Sequence, residues 1–130
     1  MTHQEQELIE SAKSGNLKQV KTLVEGGADI HVYEDEALRR ACERGYLNIV
    51  KYLVEQRADI RAYNDCAVHW ASENGHLEVV KYLHQSGADI HVENEYALRW
   101  SAECGHFEVV NYLIKNGVDT SQINIKSLFL

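Results

Sequence analysis

Gly75-His76-Leu77-Glu78-Val79-Val80-Lys81-Tyr82-Leu83, with Gly87-Ala88-Asp89-Ile90 shortly after, is the stretch on which the fold turns. Leu77, Val80 and Leu83 stand at helical steps on one face, and glycines bound the segment on both sides. Working outward, Gly15, Gly45, Gly75 and Gly105 are spaced by equal steps of 30. Ala-Asp-Ile recurs at Ala28-Asp29-Ile30, Ala58-Asp59-Ile60 and Ala88-Asp89-Ile90, and returns weakened as Val118-Asp119-Thr120. Ahead of each glycine runs a face of small or apolar residues: Leu8/Ser11/Ala12, Leu38/Ala41/Cys42, Val68/Ala71/Ser72 and Leu98/Ser101/Ala102. After it runs a larger one: Leu17/Val20/Leu23/Val24, Leu47/Val50/Leu53/Val54, Leu77/Val80/Leu83 and Phe107/Val110/Leu113/Ile114. Small side chains facing large ones let two helices approach closely, and a glycine ends the first helix in the left-handed conformation. Each unit therefore reads as an antiparallel helical hairpin. One hairpin cannot bury its apolar faces alone, so the units are expected to stack.

These residues resemble ankyrin repeats from about Leu8 to Val118. The resemblance implies an all-α, ankyrin-type solenoid of four stacked helix-turn-helix units, about residues 1–27, 28–57, 58–87 and 88–117, in a single domain spanning 1–130. The 30-residue step, Tyr96-Ala97-Leu98-Arg99-Trp100 and Asn74-Gly75-His76 resemble in particular the abbreviated repeats of many proteins of giant DNA viruses. That likeness implies a viral protein acting on a host protein in the host cytoplasm. The common unit has about 33 residues and opens its first helix with Thr-Pro-Leu-His. Here Glu36-Ala37-Leu38-Arg39, Cys66-Ala67-Val68-His69 and Tyr96-Ala97-Leu98-Arg99 fill that place, and proline is absent. The shortfall lies between Ala-Asp-Ile and the first helix, where the family carries a β-hairpin finger. A tight loop is expected instead, with Asp35, Asp65 and Glu95 as caps or dipole partners of the helix start. Arg57 occupies the turn that Gly27, Gly87 and Gly117 make elsewhere.

The ends differ from the middle. Gln4, Glu5, Gln6, Glu7 and Glu10 suit a water-facing N-terminal cap. Residues 118–130 read as a C-terminal cap or half-repeat, with Leu128 in register with Leu38, Val68 and Leu98. The alternative is an apolar end that dimerises or continues a longer array, which would make the chain a self-assembling structural repeat protein.

Composition narrows the function classes. The chain has 13 basic residues scattered among 20 acidic ones and a net charge of -7, which argues against nucleic acid. No stretch approaches the roughly 20 apolar residues of a membrane span, and the N-terminus lacks a secretory pattern. Three cysteines without paired spacing suit reduced thiols, so a cytoplasmic chain, monomeric more than oligomeric, is expected. Cys42 reads as core and Cys66 as the more reactive thiol. Cys66/His69 and Cys104/His106 are the nearest approach to metal-ligand spacing and fall short of a closed zinc site, so no metal or cofactor is expected. A one-dimensional stack offers a groove and no enclosed pocket, and there is no phosphate-cradling loop. The chain is expected not to be an enzyme.

The expected activity is non-catalytic binding of a partner protein. By the resemblance, the concave side binds, and its variable first-helix position is occupied by Glu10, Arg40, Trp70 and Trp100. Neighbouring helices pack about 8–10 Å apart, so the two indoles are expected to form an aromatic ridge. Glu43, Arg44, Glu73, Asn74 and Glu103 surround it at the first-helix ends, and Tyr33, Tyr63 and Asn94 in the loops. With Arg39, Arg40 and Arg44 clustered at one end, a partner segment pairing an acid with an apolar residue is expected.

Overall fold

The structure, a computed structural model, describes residues 1–121, the side chains of Glu93 and Asn94 excepted. The half-repeat expected at the C-terminus lies outside these residues from position 122 onward. The described residues form eight helices in four antiparallel pairs: α1 (His3–Ser14) with α2 (Leu17–Glu25), α3 (Val32–Arg44) with α4 (Leu47–Glu55), α5 (Ala62–Glu73) with α6 (Leu77–Gln85), and α7 (Val92–Glu103) with α8 (Phe107–Lys115). Among them there is no strand, as an all-α solenoid requires.

The stack follows from side-chain size. Ala12, Ala41, Ala71 and Ser101 leave almost no bulk on the inner faces of the first helices, and all are buried. First helices accordingly pack on one another (α1 on α3, α3 on α5, α5 on α7) far more extensively than the second helices do. The second helices bury Val20/Leu23, Val50/Leu53, Val80/Leu83 and Val110/Leu113 against that layer. Tightly packed first helices and spread second helices curve the stack, with the first helices and loops on the inside.

Each pair also grips the next through its hairpin turn. The residue after the turn glycine sends a ring back over the glycine of the preceding pair: Tyr46 covers Gly15, His76 covers Gly45 and His106 covers Gly75. A Cβ at Gly75 would stand 2.5 Å from His106 Nδ1, and one at Gly45 would overlap the His76 imidazole. His76 Nε2 in turn donates to the Glu43 carbonyl at 2.9 Å. Gly45, at φ 79°, is needed twice, for its left-handed backbone and for the closeness of that ring. Arg57 adopts φ 71°, the conformation its glycine counterparts take.

The short loops differ from the expectation in an instructive way. Tyr33, Glu34 and Asp35 have φ of 52°, 53° and 58°, and Tyr63, Asn64 and Asp65 repeat this at 58°, 56° and 57°. Three successive left-handed residues make one compact turn where a finger would project. Asp35 and Asp65 do not cap their own helices, whose N-cap positions carry no side-chain bond. Both carboxylates are buried and reach forward instead. Asp35 accepts from the Asp59 N–H at 2.7 Å, and Asp65 from the Asp89 N–H at 2.9 Å. A left-handed backbone aims the carboxylate at the following pair, so the acid staples neighbours together. His31 and Arg61 hold the two carboxylates from the solvent side, each at 3.1 Å.

Candidate protein-docking groove

The left-handed turns set the concave surface. They hold Tyr33 and Tyr63 outward, 58% and 62% exposed, which is unusual for side chains of that size. Arg39 pins the first turn from behind. Its Nε donates to the Glu34 carbonyl at 2.9 Å and its Nη2 to the Tyr33 carbonyl at 2.7 Å, while Nη1 lies 4.0 Å from Cys66 Sγ. Arg39 as a whole is only 7% exposed. Its guanidinium carbon stands 5.0 Å from the centroid of Tyr63 and 5.6 Å from that of Trp70, and the Arg40 guanidinium meets the same indole at 4.9 Å. Cation–π attraction of this kind orders rings that would otherwise swing freely. In the next unit His69 replaces Arg39 and stacks on Tyr96 at 4.7 Å. Tyr96 leans on Trp100 at 5.9 Å, and its hydroxyl donates to Glu73 at 3.3 Å.

Two hollows open on this surface. One of about 550 Å³ lies among Tyr33, Glu34, Glu36, Arg39, Tyr63 and Trp70. A second of about 190 Å³ lies among Tyr63, Asn64, Cys66, His69, Trp70 and Tyr96. Tyr63 and Trp70 border both, so the two form one shallow groove across the first helices.

Of the side chains picked out from sequence, Tyr33, Tyr63 and Trp70 come together here. The two indoles do not meet: Trp70 is flanked by arginines of the preceding unit, and Trp100 is reached through Tyr96, so the expected ridge is a discontinuous series of rings. The arginine cluster is largely spent within the chain. Arg40 pairs with Glu36 at 3.6 Å and Glu43 at 3.2 Å, and Arg44 with Glu43 at 3.8 Å. Asn74 folds back to donate to the Trp70 carbonyl at 2.8 Å. Glu103 is exposed at the end of α7, outside both hollows. The Asn94 side chain lies outside the described residues. Sequence reasoning missed Tyr96, although its position four residues before Trp100 places both on one helical face.

The thiols are ordered differently from the expectation. Cys42 is wholly buried, and burial drives its pKa far above the usual thiol range. Cys66 is buried too, and burial pushes it up despite the opposing pull of Arg39. Cys104 is the exposed thiol. Among the described residues no three His, Cys, Asp or Glu side chains converge to hold a metal, and no helix is long and apolar enough to cross a membrane.

A helix pair repeated in register, burying its faces only against its neighbours and leaving an open groove, defines an α-helical solenoid. A family model described as ankyrin repeats in three copies matches residues 8–94, and a single ankyrin repeat model matches residues 93–127. The chain belongs to the ankyrin repeat family. No curated protein matches it at a significant level. The family is a non-catalytic scaffold for protein–protein interaction.

Proposed function

We propose that the chain binds a partner protein through its concave face, with Tyr33, Tyr63 and Trp70 as the central contacts and Arg40, Trp100, Glu43, Arg44, Glu73, Asn74 and Glu103 as further contacts along the first helices and their ends. The observation that carries this reading is the pair of adjoining hollows bordered by Tyr63 and Trp70, with two large tyrosines exposed on a rigid backbone. Aromatic side chains already ordered before binding lose little entropy on docking and dominate interface energetics. Four units can supply the roughly 800 Å² per partner of a standard interface. The 30-residue step and its likeness to viral repeats favour a host protein as partner and the host cytoplasm as the place of binding.

Affinity capture from host-cell extract tests the proposal. A Tyr33→Ala/Tyr63→Ala variant should lose the partners that wild type retains, and a Glu55→Ala control at the exposed end of α4 should keep them. Equal recovery by all three proteins would remove the concave face from consideration.

A further inference from the structure

We infer that the groove takes an extended basic segment of the partner, in which Lys or Arg residues sit beside a bulky apolar one. This rests on the concave face being the docking side and names the chemistry of what docks there. A third hollow, of about 410 Å³, lies along α1 and is bounded by Ile9, Glu7, Glu10 and Glu36. Glu36 also borders the 550 Å³ hollow, so the three run on from α1 to Tyr96. The first part of this path is acidic and the later part aromatic.

Charge bookkeeping along the path decides the polarity. Glu7 is hydrogen-bonded to His3 at 2.7 Å, and Glu36 is paired with Arg40 at 3.6 Å. Glu10 and Glu34 are exposed and have no ion-pair partner among the described residues. The cation nearest the path, Arg39, is buried with its donors on the Tyr33 and Glu34 carbonyls. An incoming carboxylate would meet Glu34 and Glu36 beside that guanidinium, and Arg40, the other cation against Trp70, is paired with Glu36 and Glu43. An incoming ammonium or guanidinium meets the open carboxylates of Glu10 and Glu34 and the exposed ring of Tyr33, which attracts cations. The net charge of -7 adds a long-range pull in the same direction. With first helices about 8–10 Å apart, the path from α1 to α7 spans roughly 27 Å. At about 3.3 Å per residue it accommodates roughly eight extended residues.

The test is a display library of random 12-residue peptides panned on the full chain at low salt. Recovered peptides should be enriched in Lys or Arg next to Leu, Phe, Tyr or Trp. The strongest, made as a fluorescent synthetic peptide, should bind a Glu10→Gln/Glu34→Gln variant about 5-fold more weakly and lose affinity again in 0.5 M salt. It should bind a Tyr63→Ala variant about 10-fold more weakly. Acidic or uncharged peptides that depend on Tyr63 would overturn the basic polarity and leave the concave reading standing. Basic peptides indifferent to all three substitutions would overturn both. Recovery no better than the starting library would overturn a linear basic segment as occupant, while the capture experiment judges the groove by itself.

Discussion

Replacing Asp65 separates a staple between units from an ordinary surface acid. The carboxylate is buried and accepts the Asp89 N–H at 2.9 Å, and Arg61 closes over it at 3.1 Å. A hydrogen bond to a charged group contributes about 1.5–3 kcal/mol. The Arg61 pair, half exposed on the arginine side, adds about 0.5 kcal/mol. Alanine at φ 57° costs about 1 kcal/mol more, because a short polar side chain tolerates the left-handed region better. Asp65→Ala should therefore lose roughly 3–4 kcal/mol. Asp65→Asn keeps an acceptor for Asp89 and suits the backbone, and should lose about 1 kcal/mol. At about 3–4 °C per kcal/mol for a chain of this size, the melting temperature should fall by about 10–15 °C for alanine and about 3–4 °C for asparagine. Urea titration followed by circular dichroism gives the free energies at pH 7. A loss under 1 kcal/mol for alanine, or equal losses for the two variants, would refute the staple.

Three further outcomes follow from the same geometry. Arg57→Gly relieves a left-handed side-chain residue at φ 71° and should raise stability by about 1 kcal/mol in a thermal melt. Gly45→Ala and Gly105→Ala share a positive φ, but only the first meets a ring, so urea titration should find Gly45→Ala worse by about 1–3 kcal/mol. Of the three cysteines, Cys104 alone should react promptly with a thiol reagent at pH 7.5 in the folded chain. Cys42 and Cys66 should react only on unfolding, since burial raises both thiols and withholds the nucleophilic thiolate.

The helix pairs were legible because periodicity and glycine placement are local signals. Leu47/Val50/Leu53 states one helical face, and Gly45 states its boundary. The loops were legible only in length. That the chain is short between Ile60 and Cys66 announces a tight connection, but three successive left-handed residues are not written in Tyr63-Asn64-Asp65, where only the asparagine and aspartate favour that region. The conformation is held from outside, by Asp65 on the next unit and, in the loop before it, by Arg39 on the carbonyls. For the same reason the forward reach of Asp35 and Asp65 was invisible to reasoning that looks for caps within one helix. In the groove, residue type pointed to Tyr33, Tyr63 and Trp70, which do converge. Whether Arg40 and Arg44 faced a partner or a neighbouring glutamate depended on side-chain placement that spacing does not encode, and the structure spends them on Glu36 and Glu43.

The most direct measurement of the central claim is a backbone amide NMR titration of the isotope-labelled chain with a captured partner. Shift changes should gather at residues 33–36, 63–70 and 96–100, on the first helices and their turns. Changes confined to the second helices, around Lys51 and Lys81, would place the partner on the opposite side and contradict the account.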